Sequence, residues 1–116
     1  MTTTTKTLTV EDIEWKITPL AENMTPEDCI STGDDAQDEL ICDRIREDAL
    51  TNEWAWCCIE IKGQWNGIEA TTYLGGASYE SRKDFIAQDY YYQDLQREVL
   101  AEIQAKAERI AQALNS

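Results

Sequence analysis

The segment WAWCCIEIKGQWNGIEATTYLGG, residues 54–76, constrains the fold more tightly than any other part of this chain. Its Asn66-Gly67 pair is the preferred centre of a two-residue type I′ turn, because both central residues of that turn need a positive φ. A turn placed there pairs Trp65 with Ile68, Ile61 with Thr72 and Ile59 with Leu74. Cys57, Ile59, Ile61, Ile68, Ala70 and Leu74 then share one face, while Glu60, Lys62, Gln64, Glu69, Thr71 and Tyr73 share the other. A turn at Lys62-Gly63 would instead set Ile61 against Gln64 and mix the faces. Gly75-Gly76 is read as the end of the second strand. A hairpin with one apolar face needs a cover, and the rest of the chain has to supply it.

Residues 1–7, MTTTTKT, carry no apolar period and are read as a flexible tail. From Leu8 to Ile17, Ile13, Trp15 and Ile17 fall on one side and Asp12, Glu14 and Lys16 on the other, the pattern of a half-buried strand that Pro19 would end. Thr25-Pro26-Glu27-Asp28 has the cap, the early proline and the first-turn acids of a helix start, with room for one turn. Asp34 to Leu50 is predicted to be a helix with Ile41, Cys42, Ile45 and Ala49 on its apolar face, stopping near Thr51 or Asn52. Ser81 and Asp84 have capping-box spacing and open a stretch free of Pro and Gly as far as Leu114, with Asp89 as a candidate break. Within it Tyr92, Leu95, Val99, Ile103, Ala107, Ile110 and Leu114 recur like a heptad seam. The order strand, helix, strand, strand, long helix predicts a small single α+β domain over residues 8–116, with helices packed on one face of the sheet.

Composition narrows the function. The 116 residues hold 23 Asp and Glu against 10 Lys and Arg, a net charge of -13, and no His. One domain is the natural size, and 4 Trp with 5 Tyr argue for a core rather than disorder. Binding to a phosphate backbone relies on Lys and Arg, so a basic protein surface is a better partner for this chain than nucleic acid itself. Without His, no Ser-His-Asp or Cys-His pair can be assembled, and zinc would have only Cys and carboxylates to hold it. The acids match no calcium-loop spacing and no Gly-rich phosphate loop is present. The chain therefore reads as a non-enzymatic protein with no cofactor and no metal. Cys29, Cys42, Cys57 and Cys58 form no CxxC pair and read as reduced small hydrophobes. No apolar run approaches the ~20 residues of a membrane helix, and Met1–Val10 is Thr-rich rather than leader-like, which predicts a soluble cytoplasmic protein.

The charge is uneven, net -10 over residues 1–53 and net -3 over residues 54–116. Asp35, Glu39, Asp43 and Glu47 lie four apart on the predicted helix, a ladder with roughly 6 Å between neighbours and about 18 Å overall. Each like-charged neighbour pair costs a helix roughly 0.2–0.5 kcal/mol, relieved only in part by Arg44 and Arg46. A face of mixed charge would be soluble without that cost. The functional alternative is imitation of a phosphate backbone. Duplex DNA carries a charge per about 1.7 Å of axis, so the ladder would need Glu27, Asp28, Asp34 and Asp48 to supplement it. Trp54, Trp56, Trp65 and Tyr73 have only Lys62 beside them and read as a second core layer or a protein contact rather than a base-stacking platform. At least one ring of Tyr90-Tyr91-Tyr92 must face outward on a helix. The long seam either pairs with a second copy or packs on the chain's own sheet, and the hairpin's need for cover favours the sheet.

With its WNG, YLGG and SYES segments this single acidic His-free domain resembles small accessory proteins encoded by bacteriophages and prophages, the resemblance running from about Trp54 to Tyr79. Size, charge and the acidic first half are similar to those of phage anti-CRISPR proteins, particularly acidic inhibitors of type I-F surveillance complexes that imitate target DNA. Such inhibitors share neither fold nor signature, so the resemblance assigns no residue. What it implies is a stoichiometric inhibitor in the cytoplasm of the infected bacterium. It would bind the basic DNA-recognition surface of the CRISPR surveillance complex, near where the PAM is read, and block target DNA binding. The contacts that the charge analysis supplies are Asp35, Glu39, Asp43 and Glu47, assisted by Glu27, Asp28 and Asp48. The competing reading is a non-enzymatic interaction or assembly module, an adaptor or antitoxin-like partner, whose charge serves solubility. The protein would accordingly be a monomer or a homodimer joined through the long helix.

Overall fold

The computed structural model of the chain describes residues 6–88 and 91–115. Its elements are strand β1 (Glu14–Leu20), the single turn α1 (Pro26–Cys29), helix α2 (Asp35–Ala49), strands β2 (Cys57–Trp65) and β3 (Ile68–Ala77), and helices α3 (Arg82–Gln88) and α4 (Tyr92–Asn115). The fold is α+β in the predicted order, around a three-stranded antiparallel sheet ordered β1-β2-β3. Among the described residues no helix is long and apolar enough to cross a membrane. The tail read over residues 1–7 has its first five residues outside the described ones, as do Asp89 and Tyr90. The candidate break at Asp89 lies outside the described residues; α3 ends at Gln88 and α4 begins at Tyr92.

The hairpin forms as its turn chemistry dictates: Asn66 has φ +48° and Gly67 φ +80°, and burial alternates along β2 with Cys57, Ile59, Ile61 and Gly63 inside. Gly75-Gly76 does not end β3, which continues to Ala77. Gly76 has φ +62°, and the buried positions shift from even-numbered Ala70 to odd-numbered Ala77 across it, the change that a one-residue bulge makes. The glycines bend the strand rather than break it.

Contacts within the chain gather it into two compact units. The first takes in Met1–Lys16, Ile61–Thr72 and Tyr90–Ser116. Its core is Leu8, Ile13, Ile61 and Ala70 with Val99, Ile103 and Ala107 of α4. The helix lies close over Gly63, where a Cβ would sit 2.7 Å from Val99 Cγ1, and Ile13 Cγ2 would be 2.9 Å away. The predicted strand from Leu8 starts later than read, because Thr9 and Asp12 cap a 3-10 turn over Val10–Asp12. The Thr9 N–H donates to Asp12 Oδ2 at 2.8 Å, a local bond that outcompetes extended pairing. Lys6 pairs with Asp12 at 2.8 Å, and the Leu8 N–H donates to Gln104 Oε1 at 2.7 Å. The α4 seam is buried only in its middle. Tyr92 and Leu95 are half-buried, Ile110 is 50% exposed and Leu114 81%.

The second unit takes in Ile17–Glu60 and Tyr73–Asp89. Phe85 of α3 fills its centre, stacked on Trp54 at 6.4 Å and met edge-on by Tyr79 at 5.0 Å. Arg82 lies over the Trp54 ring at 6.0 Å and donates to the Ile17 carbonyl at 2.9 Å. The α3 start is capped as predicted on one side, the Asp84 N–H donating to Ser81 Oγ. The return bond comes from the N–H of Glu80 to the Asp84 carboxylate. Pro19 does not stop β1, which runs on to Leu20. With β2 in the middle of the sheet, β1 is an edge strand, and an edge can carry a residue with no N–H to donate.

Candidate functional site

The predicted acidic contacts all lie in the second unit, on α1 and α2. Helix α2 is nucleated where the sequence placed its start: Asp34 Oδ1 accepts the N–H groups of Ala36 and Gln37. Asp38 faces back instead, taking the N–H and hydroxyl of Thr32 at 2.9 and 2.6 Å. The single turn α1 starts at Thr25, whose N–H donates to Asp28 at 3.0 Å. Asp28 therefore serves as a cap.

Asp35, Glu39, Asp43 and Glu47 are all exposed along α2, as the ladder requires, and Asp48 is exposed beside them. Arg46 reaches from α2 to Glu27 and forms an ion pair with it, and also lies 3.8 Å from Asp43. Its hydrogen bond holds the Glu27 carboxyl below the usual glutamate range, and Glu27 in turn raises Arg46. Arg44 stands 4.0 Å from Asp48. Among the described residues, Asp35, Glu39 and Glu47 are left with no ion-pair partner. Of the four ladder residues three are thus unneutralised: Asp35 in the first turn, where the dipole favours it, Glu39 in mid-helix, and Glu47 in the last turn, where the dipole does not. Between α1 and α2, Glu27, Asp35, Asp38 and Glu39 rim a cleft with Ile30 and Cys42 in its lining.

The apolar face predicted for α2 is thinner than its spacing suggested. Cys42 is its only buried side chain, Ile41 and Ile45 are half-buried and Ala49 is exposed. The physical reason is the length of its partners: α2 packs on a four-residue turn, α1, and on the three-residue 3-10 turn Glu53–Ala55, neither long enough to cover two turns of helix. Leu40 and Leu50, which fall off the predicted apolar stripe, are 71% and 84% exposed. Sequence reasoning passed over both, although their departure from the stripe was visible.

The aromatic residues differ in their exposure. Trp54 is core, Trp56 donates its ring N–H to the Met24 carbonyl at 2.8 Å, Trp65 is half-buried, and Tyr73 is exposed with its hydroxyl 3.4 Å from Glu60. Tyr91 is exposed, and burial raises the phenol of half-buried Tyr92. All four thiols are free, with Cys42 and Cys57 buried and Cys57 pushed up to about 11 by desolvation. Among the described residues no three Cys, Asp or Glu side chains converge where a metal ion could be held.

No protein-family model, curated protein or solved structure matches this chain.

Proposed function

We propose that this chain is a phage-encoded, non-enzymatic inhibitor that offers the carboxylates of α2 to the basic DNA-recognition surface of a bacterial defence complex. The type I-F CRISPR surveillance complex is the target the resemblance singles out. The observation that carries the reading is the unneutralised, exposed row of Asp35, Glu39 and Glu47 on a helix that buries a single side chain. A helix so lightly committed to its own core, and bearing like charges that weaken it, is better suited to an electrostatic contact than to holding the fold. The contact would occupy Lys and Arg side chains that otherwise receive target duplex. The reading also places the protein in the bacterial cytoplasm, where its target is.

The test is a gel shift of target duplex by purified type I-F complex with and without the protein, across a salt series. Near-equimolar protein should abolish the shift at low salt and lose potency as salt rises. Reversing Glu39 and Asp43 to Lys should abolish inhibition with the circular dichroism spectrum unchanged. A duplex shift that the wild-type protein leaves intact at every salt concentration sinks the reading for this complex.

The helix-joined dimer has a narrower basis than its seam suggested. Val99 and Ile103 are wholly buried within the first unit, which leaves Ile110 and Leu114 as the uncovered end of the seam. We expect a monomer by size exclusion with light scattering, and a concentration-independent dimer would restore the assembly-module reading.

A further inference from the structure

We propose that the outward face of α2 docks a basic protein segment that also brings apolar side chains, so that the partner surface pairs Lys or Arg with hydrophobic residues. This rests on the reading of α2 as the partner-facing element and adds a chemistry to it. Leu40, Asp43, Glu47 and Leu50 follow one another at steps of three, four and three residues along the outward stripe. The stripe therefore reads apolar, acidic, acidic, apolar, with about 15 Å between the two leucines; Arg46 stands 3.8 Å from Asp43, so Glu47 carries the unpaired charge. Leu40 lies in a shallow concavity with Asp43, Arg44, Glu47 and Asp48, and both leucines are more exposed than most large apolar side chains in the chain.

Charge alone would be satisfied by a polyanion mimic with no leucine in the row. Apolar side chains set among carboxylates gain by burial only against a surface that is itself apolar there, and the carboxylates require that surface to be cationic. A phosphate backbone offers neither property. The complement is a segment with cationic side chains between apolar residues ten positions apart, the pattern of a basic amphipathic helix.

The full-length protein should be titrated with two Lys-rich helical peptides of equal length and charge. One carries Leu at two positions ten apart with Lys between them, and the other carries Ala at those positions. The Leu peptide should bind about tenfold more tightly. That advantage should vanish in Leu40→Ser/Leu50→Ser, whose exposed side chains leave the circular dichroism spectrum unchanged. It should persist in Ile110→Ser/Leu114→Ser, which removes the exposed leucine and isoleucine of α4 instead. Equal affinity for the two peptides overturns the inference, as does an advantage that survives Leu40→Ser/Leu50→Ser or disappears with the α4 pair. The outcome is separable from the choice of target. A protein that discriminates the peptides but fails to block the type I-F complex loses that target alone, and one that blocks it while treating the peptides alike loses the apolar docking alone.

Discussion

Gly63 has an ordinary negative φ, so its requirement is space and not backbone freedom: Val99 and Ile13 stand where a methyl group would go. Gly63→Ala should therefore destabilise the fold by about 1–3 kcal/mol, the cost of overpacking, measured by urea unfolding. Glu22 works through its oxygens. It accepts the Gly76 N–H at 2.7 Å and the Met24 N–H at 3.1 Å, and these bonds, the Gly76 bond foremost, hold it below its ordinary value of 4.5. A carboxyl depressed in the folded state stabilises the protein fully above its unfolded value and loses that contribution as pH falls through the folded value. Lowering the pH also discharges a chain of net charge -13, which acts in the opposite direction by relieving repulsion. The difference between wild type and Glu22→Gln isolates the clasp. The variant should be less stable at neutral pH, and the gap should close as pH falls below the glutamate range, read by urea unfolding at each pH.

At the scale of elements, α2 and α4 show the same sequence pattern with different outcomes. Both repeat apolar residues at helical spacing. In α4 the middle of the repeat is buried against Ile13 and Gly63, whereas α2 packs on two short turns, α1 and Glu53–Ala55. The ladder makes α2 weaker still, because Glu47 is four residues from Asp43 and close to the negative end of the helix dipole. Glu47→Arg should raise the stability of the protein by about 0.5 kcal/mol in thermal unfolding while weakening inhibition in the gel shift. A variant that gains stability and keeps full inhibition would remove Glu47 from the contact. Such opposed effects are what a helix held in an electrostatically unfavourable form for binding should give.

For the molecule as a whole, net charge sets the response to salt. Screening reduces the self-repulsion of the folded chain and also its attraction to a basic partner. Added salt should therefore raise the melting temperature of the free protein and weaken the complex over the same range, measured side by side in the same buffers. The hairpin, the helix starts at Thr25, Asp34 and Ser81, and the element order were legible in the residues because turn and cap chemistry acts over a few positions. Within that local range the reading missed Thr9 and Asp12, which have the same cap spacing and set the 3-10 turn before β1. Pro19 and Gly75-Gly76 read as stops and proved to be an edge residue and a bend, because whether a strand tolerates them depends on its neighbours in the sheet. The acidic row was visible as a spacing of four, but which of its carboxylates stay unpaired depends on where Arg46 lies, 3.8 Å from Asp43 while reaching across to Glu27. The sequence by itself determined the turns, caps, helical periods and the charge that any partner must meet, since these are properties of neighbours along the chain. Only the tertiary structure decided that Val99 and Ile103 are covered and Leu40 and Leu50 are not, because burial depends on how much surface a distant element has to offer.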